Sequence, residues 1–107
     1  YLSISNGDNH DIYRIDPDGK NRVQITKGKF GELNVEPNVS PDGSKIAFSS
    51  TREGSKPMIY TMNTDGSGIK RVTYAGDYNS SPAWSPDGKK IVFAGQDKTH
   101  YDIFIMN

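Results

Sequence analysis

Apolar residues in this chain fall two apart, and the pairs come round again. Ile46 and Phe48 stand in KIAFSS, and Ile91 and Phe93 stand in KIVFAG. A spacing of two is that of a strand with one face buried. No segment sustains a helical period, and Gly or Pro interrupts too often for a long helix. The pattern predicts units of four short strands. PNVS or PAWS comes first, and KIAFSS or KIVFAG follows an SPDG turn. IYTMN or IFIMN is third, and RVTY or RVQIT follows a second turn.

The units are copies of one another. EPNVSPDGSKIAF at 36–48 and SPAWSPDGKKIVF at 81–93 agree at eight of thirteen positions, 45 residues apart. MIYTMNTDGS at 58–67 matches DIYRIDPDGK at 11–20, and DIFIMN at 102–107 is a third copy. Matched by letters, KRVTYAGDYN at 70–79 pairs with NRVQITKGKF at 21–30. A period of this size signals a solenoid or a propeller, and four antiparallel strands per period signal propeller blades. The chain therefore reads as all-β, a β-propeller fragment of about 2.5 blades. Residues 1–26 form a partial blade lacking its inner strand, 27–73 a complete blade, and 74–107 a partial blade lacking its outer strand. A lone blade leaves both faces wet, so neighbours must pack face to face. Ile46, Phe48, Tyr60, Trp84, Ile91, Phe93 and Phe104 are expected between blades. Such a segment closes no ring alone. Other blades of a longer chain, or other copies, are needed to cover its open faces and edges.

The agreement is tightest in SPDG because a turn demands particular residues. Pro presets φ at the second position, Gly takes the positive φ that follows, and Asp accepts backbone N–H groups. Calcium is the other reading of these carboxylates, but one Asp per turn supplies too few oxygens.

Composition narrows the function. Of 107 residues only 33% are hydrophobic, which suits thin half-buried sheets rather than one large core. Lys plus Arg and Asp plus Glu number 13 each, so no basic face for nucleic acid is expected. No apolar run approaches spanning length, so direct membrane insertion is not expected. The absence of Cys excludes disulfides, thiolate zinc sites and cysteine nucleophiles. GxSxG, HExxH, GxGxxG and the P-loop are all missing. His10 and His100 occupy equivalent loops of different blades, with no third ligand in sight. The expectation is a non-catalytic module with no cofactor and no metal.

SPDGSKIAFSSTREGSKPMIYTMNTDG and SPAWSPDGKKIVFAG resemble the PD40 type of WD40-like repeat carried by the TolB family. The resemblance covers essentially the whole chain. It implies a six-bladed propeller behind an N-terminal α/β domain, a periplasmic location and a place in the Tol–Pal system of the cell envelope. It implies binding of the lipoprotein Pal, with a colicin peptide as a further partner. Related blades also gate prolyl-oligopeptidase-type serine peptidases, and a glycan-binding propeller is a third reading.

Long connections at 5–11, 27–36, 50–58, 74–81 and 94–102 are expected at one end, opposite the tight turns. Variable loops on a rigid scaffold are where recognition resides. The partner-binding residues expected there are Glu32, Asn34, Glu36, Arg52, Asp77, Tyr78, Asn79, Ser81 and His100. Tyr78, with Tyr74 or Phe30, would be an aromatic anchor and Arg52 a charged one. Asn34, Glu36, Asn79 and Ser81 would rim the central channel of a closed ring. Each of these residues equally fits a solvated loop.

Overall fold

The computed structural model describes residues 1–5 and 7–96, together with the backbone of a strand at 101–106. The described residues contain strands and turns and no helix. Three antiparallel sheets follow one another along the chain. The first orders β1 (Leu2–Ser5), β2 (His10–Arg14) and β3 (Val23–Gln24). The second is a four-stranded meander of β4 (Asn34–Val39), β5 (Lys45–Ser50), β6 (Met58–Asn63) and β7 (Lys70–Arg71). The third orders β8 (Tyr78–Trp84), β9 (Ile91–Gln96) and β10 (Tyr101–Met106). These are propeller blades, as the repeats predicted.

The middle blade is covered on both faces, and its strands show how. Along β5, Ile46 and Phe48 point one way, Ala47 and Ser49 the other, and all four are buried. Ile46, Phe48, Met58, Tyr60 and Met62 meet Ile12 of the first blade, with Ile25 and Val39 at the margin. Phe48 and Tyr60 stack with ring centroids 5.9 Å apart. On the opposite face Ala47 and Ile59 meet Ile91 and Phe93 of the third blade, flanked by Val72 and Trp84. Each seam thus sets the large residues of the following blade against a single Ile of the preceding one. The expected set Ile46, Phe48, Tyr60, Ile91 and Phe93 lies in these seams. Trp84 is only half-buried, and its Nε1 donates across the seam to the Asn38 carbonyl at 3.0 Å. The side chain of Phe104 lies outside the described residues.

The outer strands correct one part of the letter match. Ile25 and Val72 donate their N–H groups to the carbonyls of Ile12 and Ile59, each at 2.8 Å. Thr26 and Thr73 then hydrogen-bond to those same carbonyls at 3.3 Å. Ile25 is therefore the counterpart of Val72, whereas matching RV to RV would have chosen Val23. Hydrogen bonding to the middle strand sets the register, and the outer residues Val23 and Arg22 are exposed enough to vary.

The inner strands β4 and β8 each carry a bulge. Pairing with the next strand shifts between Val35 and Asn38, and again between Ser80 and Ala83. Glu36 (φ 58°) and Ser81 (φ 53°) occupy the bulges in left-handed backbone, each just before a proline. That conformation is costly for a residue with a Cβ, about 1 kcal/mol or more. Proline fits a bulge because its missing N–H removes no ladder bond there.

The tight turns behave as the sequence predicted. In Ser40–Lys45 the N–H of Gly43 (φ 76°) reaches the Ser40 carbonyl at 2.9 Å. Asp42 Oδ1 accepts from Ser44 N, Ser44 Oγ and Ser40 Oγ. Those bonds, the Ser44 N–H foremost, hold the Asp42 carboxyl at about 2.

Candidate functional site

At the end opposite the tight turns, each junction between blades is tied by the same small polar brace. Its floor is a threonine at the end of an outer strand. Thr26 Oγ1 accepts the N–H of Ile12 at 2.9 Å, and Thr73 Oγ1 accepts the N–H of Ile59 at 2.9 Å. Its roof is an asparagine of the next blade, Asn34 or Asn79. A serine of the preceding blade donates to that asparagine's carbonyl: Ser3 to Asn34 at 3.3 Å, and Ser49 to Asn79 at 2.8 Å.

Between floor and roof the two braces differ. At the first junction the acceptor is Asp11, exposed by only 1%. Its Oδ1 receives Thr26 Oγ1 (2.7 Å), Gly28 N (3.0 Å) and Asn34 Nδ2 (3.1 Å). At the second junction Met58 stands in its place. Its Sδ receives Asn79 Nδ2 at 3.1 Å and Thr73 Oγ1 at 3.6 Å. A buried carboxylate needs several donors, and the chain supplies them.

The carboxylate brace extends outward. Asn34 Nδ2 also donates to Glu32 Oε2 at 2.8 Å, while its Oδ1 accepts from Ser50 Oγ and Arg52 Nη2, both at 2.8 Å. Arg52 Nε donates to Ser50 Oγ, and Nη2 lies 3.8 Å from Glu32 Oε2. Its guanidinium sits 5.4 Å from the ring centroids of both Phe48 and Tyr60. A Cβ at Gly28 would crowd this network, lying 2.9 Å from Glu32 Oε2, 3.0 Å from Glu32 Cβ and 3.1 Å from Asn34 Nδ2. Nearby, Tyr60 is pushed up to about 12, by burial first and then by its hydrogen bond to Glu53. Glu53 is held below the usual carboxylate range by its bond from Arg71, then by Tyr60.

A family model described as PD40, the TolB β-propeller domain, matches residues 1–107. The chain belongs to the PD40 TolB β-propeller family. It is 42% identical over 55 residues to a TolB homologue of Chlorobaculum tepidum, covering 51% of this chain and 12% of that one. The solved structure of TolB from Acinetobacter baumannii superposes with a TM-score of 0.78 at 28% identity. That match covers 98% of this chain and 26% of the other. A structure from Agrobacterium tumefaciens, provisionally assigned as TolB, gives a TM-score of 0.78 at 30% identity, covering 92% and 37%. The chain thus spans well under half the length of these relatives.

In this TolB-type segment the anticipated site residues divide. Glu32, Asn34 and Arg52 come together in the first brace. Glu36 and Ser81 come together at the bulges, where Ser81 Oγ donates to Glu36 Oε2 at 2.8 Å and both remain exposed. Asp77 pairs with Lys56 at 2.8 Å, and Tyr78 is 46% exposed beside it. Asn34 and Asn79 are buried, at 0% and 3% exposure, so they hold the blades together and present no surface for a channel rim. Of the four residues expected at a rim, Glu36 and Ser81 are the exposed ones. His100 lies outside the described residues. Asp11 also bonds to loop backbone, through the N–H of Gly28. The braces themselves were missed, though the recurrence of Thr and Asn was visible. Thr26 precedes Asn34 by eight residues but Thr73 precedes Asn79 by six, which hid the match.

Among the described residues no three His, Asp or Glu side chains cluster as metal ligands, and no helix is long and apolar enough to cross a membrane. The exposed large apolar side chains at this end are Phe30 (88%), Tyr74 (73%), Tyr78 and Leu33.

Proposed function

We propose that this chain is a non-catalytic protein-binding segment of a TolB-like propeller that contacts a periplasmic partner, a Pal-like lipoprotein of the Tol–Pal system. The observation that carries this reading is the family match over the full sequence, joined to the loop end where large apolar side chains stay in water. Seams and braces make the scaffold rigid, so side chains on the loops are presented at little ordering cost. Tyr78 serves as the aromatic anchor, with Asp77, Glu36 and Ser81 beside it as the polar contacts. A colicin peptide would exploit the same surface.

The test is the affinity of the full chain for the Pal-like lipoprotein of its own cell envelope, measured by calorimetry. The double substitution Asp77→Ala, Tyr78→Ala should weaken binding at least tenfold, the loss of an anchoring contact. Both residues lie outside the seams, so the melting temperature should stay within a degree or two. Unchanged affinity would remove this surface from the interface. Arg52→Ala is a poor probe, because it dismantles the first brace.

A further inference from the structure

The first blade junction carries an open pocket at its loop end. Loops 27–33 and 51–55 line this pocket of about 420 Å³, with Phe30 and Leu33 as its apolar side chains and Lys29, Glu32 and Arg52 as its charged ones. Phe30 is almost wholly exposed, and nothing in the fold requires an aromatic ring there.

Charge decides what the pocket would accept. The carboxylates around it are answered within the fold: Glu32 by Asn34 and Arg52, and Glu53 by Arg71 and Tyr60. Asp8, on the neighbouring loop, does not line it. Lys29 is exposed, and its ammonium is paired with no described residue. Arg52 spends Nε on Ser50 and Nη2 on Asn34, which leaves Nη1 without a described partner. The guanidinium is fixed by those bonds and by the two rings beneath it, so its remaining donor is already oriented. An apolar wall beside one unpaired ammonium and a guanidinium with Nη1 still open complements an apolar side chain next to a carboxylate.

We propose that this pocket takes an acidic peptide segment, with one apolar side chain against Phe30 and Leu33 and a flanking carboxylate on Lys29 and Arg52. The site rests on the protein-binding reading above and adds the partner's chemistry at a second place on the same end. A concave site with a prepositioned guanidinium suits a peptide side chain better than the flat surface of a bilayer.

The probe is a dye-labelled peptide with a tryptophan flanked by glutamates, titrated with the full chain by fluorescence anisotropy. Saturable binding should weaken about tenfold with Lys29→Glu, with Phe30→Ala, or when glutamine replaces the peptide's glutamates. Added salt should weaken the glutamate peptide more than the glutamine one. Lys20→Glu, in a tight turn at the other end, should change nothing. Lys29 and Phe30 are exposed, so both variants should melt like the parent. Equal binding of the two peptides, or indifference to Lys29→Glu and Phe30→Ala together, would overturn the proposal. So would binding to phosphatidylglycerol vesicles, in sedimentation, that depends on Phe30 while the peptide fails. Loss of the Pal-like lipoprotein with peptide binding intact would remove only the earlier reading, and the converse would remove only this one.

Discussion

The two blade junctions solve one problem with different atoms. Both must hold a strand end, an outer-strand threonine and the next blade's asparagine in register. The first uses a carboxylate that accepts three hydrogen bonds on one oxygen; the second uses a thioether. The carboxylate is costly to bury and draws in Gly28, Glu32, Ser50 and Arg52 as support. The thioether carries no charge, and Asn79 completes its own bonding with the Ala75 carbonyl at 2.9 Å. Threonine and asparagine are thus the constant parts of the device, and the acceptor between them is the variable one. The difference has a functional side. The charged brace fixes an arginine at the rim of a pocket.

Substitutions can break the comparison in graded steps. The apolar part should be equal at both junctions. Ile12→Ala and Ile59→Ala each remove a side chain with 0% exposure, and each should cost about 3 kcal/mol in urea unfolding. A twofold disparity would show that the seams are not equivalent. The polar part should be unequal. Asn34→Ala strands Asp11, Ser50 and Arg52 together and should cost about 2 to 3 kcal/mol, whereas Asn79→Ala should cost about 1 kcal/mol. Next comes Asp11→Met, which rewrites the first brace in the chemistry of the second. It should cost less than Asn34→Ala, about 1 to 2 kcal/mol, and should loosen Arg52. A drop in acidic-peptide affinity alongside would report that loosening.

Smaller effects lie at the bulge and the turn. Ser81→Gly relieves a left-handed backbone and should raise stability by about 1 kcal/mol, with Ser81→Ala giving no such gain. The turn carboxylate Asp42 has its folded value depressed from 3.8 to about 2. A depressed carboxylate stabilises the fold above its unfolded value and loses that contribution as pH falls through the folded one. The difference in melting temperature between the parent and Asp42→Asn should therefore be constant above pH 4 and shrink from pH 4 to pH 2. A difference that grows on acidification would reverse the sign. Being exposed, this group should give the smallest shift of the set.

Much of the fold was legible because the turn residues and the two-residue alternation repeat together. SPDG marked the hairpins, and Ile46, Phe48, Ile91 and Phe93 marked the seams. The other half of each seam was less visible. Ile12 and Ile59 stand beside Tyr13 and Tyr60 on strands whose two faces are both covered, and alternation says little there. The site was harder to read. A loop asparagine looks the same in sequence whether it faces water or bridges two blades, and Asn34 and Asn79 do the latter. Arg52 looked like an exposed anchor, yet most of its guanidinium is bound within the fold. These roles depend on contacts between residues 15 to 23 positions apart, fixed only when the blades stack.

The most direct measurement is a double-mutant cycle across the first junction, pairing Asp11→Ala with Asn34→Ala and reading stability by urea unfolding. Blades clasped by a charged brace should give a coupling of about 1 to 2 kcal/mol, with the parallel cycle of Met58→Ala and Asn79→Ala giving well under half of that. Additive losses at the first junction would mean that Asp11 and Asn34 do not hold the two blades together.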